Sequence, residues 1–118
     1  MSKIIKNGTI VTAGDIFTGD IYVDEGIIKD IGINLEKDCD EVIDAGGKYV
    51  IPGGVDVHTH LNLDAGIAVA NDDFYTGTVA AACGGTTTIV DHMGFGPKGC
   101  NLHHQVNVYH KYAKNNAV

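Results

Sequence analysis

The chain has 118 residues, enough for one ordinary domain and far short of the about 250 that a complete (β/α)8 barrel takes. Hydrophobic residues make up 44% and charged residues 19%, with two prolines, which excludes a disordered chain, and the 16 glycines sit mostly at joints between apolar runs. Eight lysines and no arginine stand against fifteen acids; a net charge of −7 repels phosphate backbones and excludes nucleic acid as a partner.

Residues 3–51 read as short strands, KIIK, TIVT, DIYVDE, GIIKDIG, EVIDA and KYVI, punctuated at Asn7-Gly8, Ala13-Gly14-Asp15, Glu25-Gly26 and Gly46-Gly47. The stretch IYVDEGIIKDIG predicts a hairpin that turns at Glu25-Gly26. No catalytic cluster lies in this region, and we expect a small β-sheet subdomain over residues 1–51.

The pattern changes at Ile51-Pro52-Gly53-Gly54. From there the order is strand (VDVHTH), helix (NDDFYTGTVAAACGG), strand (TTTIVDHM) and helix (NLHHQVNVYHKYAKNN). Asn71 is the expected N-cap of the first helix, with Asp72 and Asp73 in its first turn, Gly84-Gly85 as its stop, and Phe74, Val79, Ala82 and Cys83 as its buried stripe. Asn101 is expected to cap the second, with Leu102, Val106, Tyr109 and Ala113 as its apolar stripe. Strands alternating with helices of this length indicate parallel βαβ units over residues 52–118.

His58 and His60 are two apart on a predicted strand, so the pleat turns both imidazoles to one face, and two neutral imidazoles converging at a strand end can form half of a zinc site, the alternative being two surface or core histidines. Asp56 falls on the same face one pleat earlier, where it could hold a ligand in its tautomer. A catalytic zinc ion takes three protein ligands and an open position; His92, Asp64 and Asp91 are the candidates for the third. Asp91 and His92 are adjacent on a strand and point to opposite faces, so at most one of them faces the pair. His103, His104 and His110 lie on the second helix and read as solvated or packed side chains. Cys83 ends a helix, where no dipole lowers its pKa, and GFGPKG lacks the GKS or GKT of a phosphate loop.

At these residues the sequence resembles a known family. IDAGGKYVIPGGVDVHTH, with the strand-rich stretch before it, is similar to the start of the cyclic amidohydrolases, and DDFYTGTVAAACGGTTTIVDH to their hydantoinase and dihydropyrimidinase branch. The resemblance covers essentially the whole chain. It implies an α/β fold: the N-terminal part of a β-sandwich over residues 1–51, then the first two βα units of a TIM-type (β/α)8 barrel over residues 52–118. It implies a binuclear zinc hydrolase that opens small cyclic amides, hydantoins or dihydropyrimidines, to N-carbamoyl amino acids. His58 and His60 match the first pair of metal ligands, and the loop from Leu61 to Ala70, with Asn62 and Asp64, matches the first loop shaping the substrate pocket; His92 is expected to line it.

Leu61-Asn62-Leu63-Asp64 stands where a dihydroorotase would carry Leu-Arg, which disfavours that branch and allantoinase with it. The bridging lysine, the later histidines, the aspartate general base and the oxyanion tyrosine of the family are expected beyond position 118, and Lys98, Lys111 and Lys114 do not match the lysine's motif. The expectation is therefore an N-terminal segment with no catalytic residue of its own, inactive alone. A non-catalytic, self-associating module that binds metal weakly is the alternative. Three cysteines without a CxxC pair, no signal-like N-terminus and no apolar run near ~18 residues point to a reducing cytoplasm and no membrane partner. The resemblance adds a homotetramer.

Overall fold

The computed structural model describes residues 1–118, which divide into two compact units, Met1–Pro52 and Gly53–Val118. The first is a five-stranded sheet: β1 (Ser2–Val11), β2 (Ile16–Asp24), β3 (Ile27–Gly32), β4 (Glu41–Asp44) and β5 (Tyr49–Val50). β1 is central. It pairs antiparallel with β2 along one edge and parallel with β4 and then β5 along the other, while β3 pairs antiparallel with β2. Ile4, Ile10, Ile21 and Ala45 are its buried apolar residues.

Three features of this sheet differ from the expectation. KIIK and TIVT are one strand, because Asn7-Gly8 forms a bulge instead of a break: the register with β2 jumps from Ile5↔Ile21 to Gly8↔Gly19. Asn7 sits at φ 62, and its amide donates to the buried carboxylate of Asp20 at 2.9 Å. β2 begins at Ile16, earlier than expected, because the whole second half of β1 is available to pair with it. Only Tyr49 and Val50 of KYVI join the ladder. At the hairpin, Asp24 pairs with Ile27 across Glu25 and Gly26, both at positive φ (48 and 74), the signature of a type I′ turn.

The second unit contains β6 (Gly54–Thr59), α1 (Phe74–Cys83), β7 (Thr86–Asp91) and α2 (Leu102–Ala113), and β6 and β7 pair in parallel. α1 starts two residues later than expected. Its N-cap is Asp73, whose carboxylate accepts from the Thr76 amide at 2.7 Å while its own amide donates to Thr76 Oγ1 at 3.1 Å. The residues on either side of the cap are tied to the loop after β6: Asn62 donates its amide to Asp72 O and accepts the Phe74 amide on Oδ1. Gly77 faces Leu61, whose side chain leaves no room for a Cβ at that position. Asn101 caps α2 by accepting from the His104 amide.

The helix stripes are narrower than the sequence spacing suggests. Phe74 is buried, but Ala82, Cys83, Leu102 and Val106 are exposed, since two strands and two helices have too little facing surface to cover every apolar row. Gln105 is buried in their place.

Candidate metal centre

Parallel pairing brings the C-terminal ends of β6 and β7 side by side. Thr59 pairs with Asp91, and the ladder continues one step further as the His92 amide donates to Thr59 O at 2.8 Å. His58 lies inside β6 and His60 just past its last residue, so two ligands expected on one strand straddle its end. Their Nε2 atoms are 3.0 Å apart. The ring of His92 joins them, its centroid 4.2 Å from that of His58 and 5.8 Å from that of His60. One nitrogen from each of the three rings falls within 4.8 Å of the others.

The tautomer of His60 follows from its partner. Its Nδ1 is 3.1 Å from the carbonyl oxygen of His92, which can only accept, so Nδ1 carries the proton and Nε2 keeps a lone pair. That lone pair is directed at the space His58 Nε2 also faces. Ligand nitrogens on a tetrahedral zinc, at about 2.0–2.1 Å from the ion, stand about 3.3 Å apart. The 3.0 Å separation of His58 and His60 is close to this, and an all-imidazole donor set suits zinc and its borderline neighbours.

The remaining candidates have other partners. Asp56 accepts the His58 backbone amide at 3.1 Å instead of an imidazole N–H. Asp91 turns away from the rings: its Oδ1 accepts from Thr59 Oγ1 and from the Leu61 amide, both at 2.8 Å, and its Oδ2 is buried without a partner. Asn62, at φ 51, fastens α1 as described, and Asp64 accepts from the Gly66 amide in a tight turn. Both border a cleft of about 890 Å³ that reaches from His60 to α2.

Two residues that the sequence analysis did not single out for the site shape this cleft. Tyr109 Oη accepts from the Gly94 amide at 3.0 Å, and Gln105 Nε2 donates to the Gly94 carbonyl at 3.0 Å. They are four apart on α2 and share a face, which was the available signal.

Residues 41–111 match the Amidohydrolase family. The chain is 57% identical over 119 aligned residues to the D-phenylhydantoinase of Escherichia coli K12, covering 100% of this chain and 26% of that protein. Among solved structures, a D-hydantoinase superposes with a TM-score of 0.92 at 50% identity, covering 99% of this chain and 25% of the other. The dihydropyrimidinase of Brevibacillus agri NCHU1002 does so with a TM-score of 0.93 at 46% identity, again over 99% of this chain and 25% of the other. The chain thus spans about a quarter of the length of these relatives. Its fold is α/β, part of a β-sandwich followed by two βα units of a TIM-type barrel. Sequence and backbone course agree along essentially the whole chain, and it belongs to the amidohydrolase family.

Proposed function

We propose that this chain supplies the first metal-ligand pair and part of the substrate cleft of a zinc-dependent hydrolase that opens hydantoins or dihydropyrimidines to N-carbamoyl amino acids. The observation that carries the reading is the convergence of His58 and His60 Nε2 at 3.0 Å, with His60 Nδ1 occupied by the His92 carbonyl. Zinc, when bound, supplies Lewis acidity at a carbonyl oxygen and lowers the pKa of water. His58 and His60 would hold the ion through Nε2, and His92 stands close enough to line the space beside it. The segments around Asn62–Gly66 and Met93–Pro97 wall the cleft next to His60, where the ring substituent of a small cyclic amide would lie. No proton transfer is assigned to a residue of this chain.

A homo-oligomer in the cytoplasm goes with this reading: the oligomer with the likeness to bacterial hydantoinases, and the reducing compartment with three free cysteines, Cys39, Cys83 and Cys100. No helix is long and apolar enough to cross a membrane.

The test uses the whole protein that carries this chain. Zinc content and ring opening of 5-substituted hydantoins and dihydrouracil are measured for wild type and for the double variant His58→Asn, His60→Asn. Loss of bound metal together with at least about a thousandfold loss of turnover is expected. Turnover that survives both chelation and the double substitution would refute the reading. Residues 1–118 alone should show no turnover.

A further inference from the structure

His60 lies beyond the last residue of β6, so strand pairing alone does not hold it. The end of β7 does. Asp91 Oδ1 accepts from Thr59 Oγ1 and from the Leu61 amide, each at 2.8 Å, and these two donors flank His60 in sequence. The next residue, His92, adds its amide to Thr59 O at 2.8 Å and its carbonyl to His60 Nδ1 at 3.1 Å. The dipeptide Asp91–His92, at and just past the end of β7, therefore holds the backbone before His60, the backbone after it, and the ring itself.

The polar contacts of this carboxylate all run through one oxygen. Oδ2 is buried with no partner among the groups of this chain, so Oδ1 alone ties Asp91 to the segment around His60. Leu61 extends the grip: it is buried, and its side chain packs over Gly77 of α1. A small slip of this segment would move His60 Nε2 out of reach of the point it shares with His58.

We infer that Asp91 is a positioning residue for the metal centre: it fixes the Thr59–His60–Leu61 segment so that His60 Nε2 meets the ion, and it does so as a hydrogen-bond acceptor and not as a ligand. The inference rests on the reading of His58 and His60 as metal ligands. It predicts a distinction between substitutions. Asp91→Ala removes both bonds, whereas Asp91→Asn keeps an Oδ1 that can accept both.

The experiment measures zinc affinity by competition with a chromophoric chelator, and the visible spectrum of the cobalt-substituted form, in the whole protein carrying this chain. Asp91→Ala should lose about 10- to 100-fold in affinity, the range for removing a partner that orients a metal ligand, and its cobalt bands should shift. Asp91→Asn should restore the wild-type spectrum and most of the affinity. Equal affinity and spectrum in Asp91→Ala and wild type overturn the inference, and so does an Asp91→Asn variant as impaired as the alanine. Should Asp91→Ala prove insoluble, Thr59→Val removes one of the two bonds. A loss of about two- to tenfold then supports the brace, and unchanged affinity overturns it. Wild-type protein that binds no zinc would instead sink the metal-centre reading beneath it.

Discussion

The hydroxyl of Tyr109 accepts a hydrogen bond from the amide of Gly94 at 3.0 Å, and from one turn earlier on α2 Gln105 donates to the carbonyl of the same glycine. Both polar groups of one loop residue are thereby fixed from a single helix face. The loop walls the cleft beside His60, so α2 sets how that cleft is shaped.

Tyr109→Phe removes one bond and leaves the ring. The expected loss is about 1 kcal/mol of loop order. In the whole protein this should raise KM for a cyclic amide several-fold while kcat changes less, because no metal ligand is touched. Steady-state kinetics decide it: a fall in kcat with unchanged KM would show that the loop does not shape the cleft.

Gly77 offers a test in which two effects oppose each other. Inside a helix, Gly→Ala is worth about 1 kcal/mol of stability from propensity alone. Here the new Cβ would collide with Leu61 Cδ2, and Leu61 is buried with its amide held by Asp91. Overpacking of this kind costs about 1–3 kcal/mol. Gly77→Ala should therefore lower the thermal midpoint. A raised midpoint would mean that Leu61 moves freely and that its contact with α1 is slack.

Asp20 links the bulge of β1 to the loop after β3. Its Oδ1 accepts from the Asn7 amide at 2.9 Å and its Oδ2 from the Leu35 amide at 2.8 Å, with Lys6 Nζ at 3.9 Å. The Asn7 amide above all, helped by Leu35 and Lys6 against the opposing effect of burial, holds the Asp20 carboxyl below its ordinary pKa. A depressed carboxylate contributes stability above its unfolded pKa and loses it as pH falls through the folded value. Asp20→Asn puts an NH2 against one of the two amides and should cost about 2 kcal/mol at neutral pH. Denaturant melts should show that gap narrowing in acid, where protonated Asp20 also gives up an acceptor. A gap independent of pH would mean the charge is not what the two amides require.

These residues also show what a sequence read locally can and cannot reveal. The Glu25-Gly26 turn and the parallel character of β6 and β7 were legible, because two-residue turns and strand–helix alternation are written in neighbouring residues. Asn7-Gly8 has the composition of a break and is a bulge, since its meaning depends on Asp20, thirteen positions away. Asn71 has the composition of a cap, yet Asn62 ties down Asp72 and Phe74 on either side of Asp73 and so sets the helix start there. At the candidate metal centre the spacing of His58 and His60 was visible. The distance to His92, the partner of His60 Nδ1 and the grip of Asp91 all follow from the pairing of β6 with β7, which no local window contains.

The hairpin itself can be improved. Glu25 sits at φ 48, a left-handed conformation that costs an ordinary L-residue about 1–2 kcal/mol and asparagine less. Against this, its carboxylate pairs with the N-terminal ammonium, but both groups are exposed, and such pairs contribute about 0–1 kcal/mol. Backbone relief outweighs the ion pair. Glu25→Asn should raise stability by about 0.5–1 kcal/mol, whereas Gly26→Ala, at φ 74, should lower it by about 1 kcal/mol. Melting both variants at low and high salt separates the contributions. If Glu25→Asn is destabilising at low salt and neutral at high salt, the ion pair is the larger of the two effects and the strain at Glu25 is small.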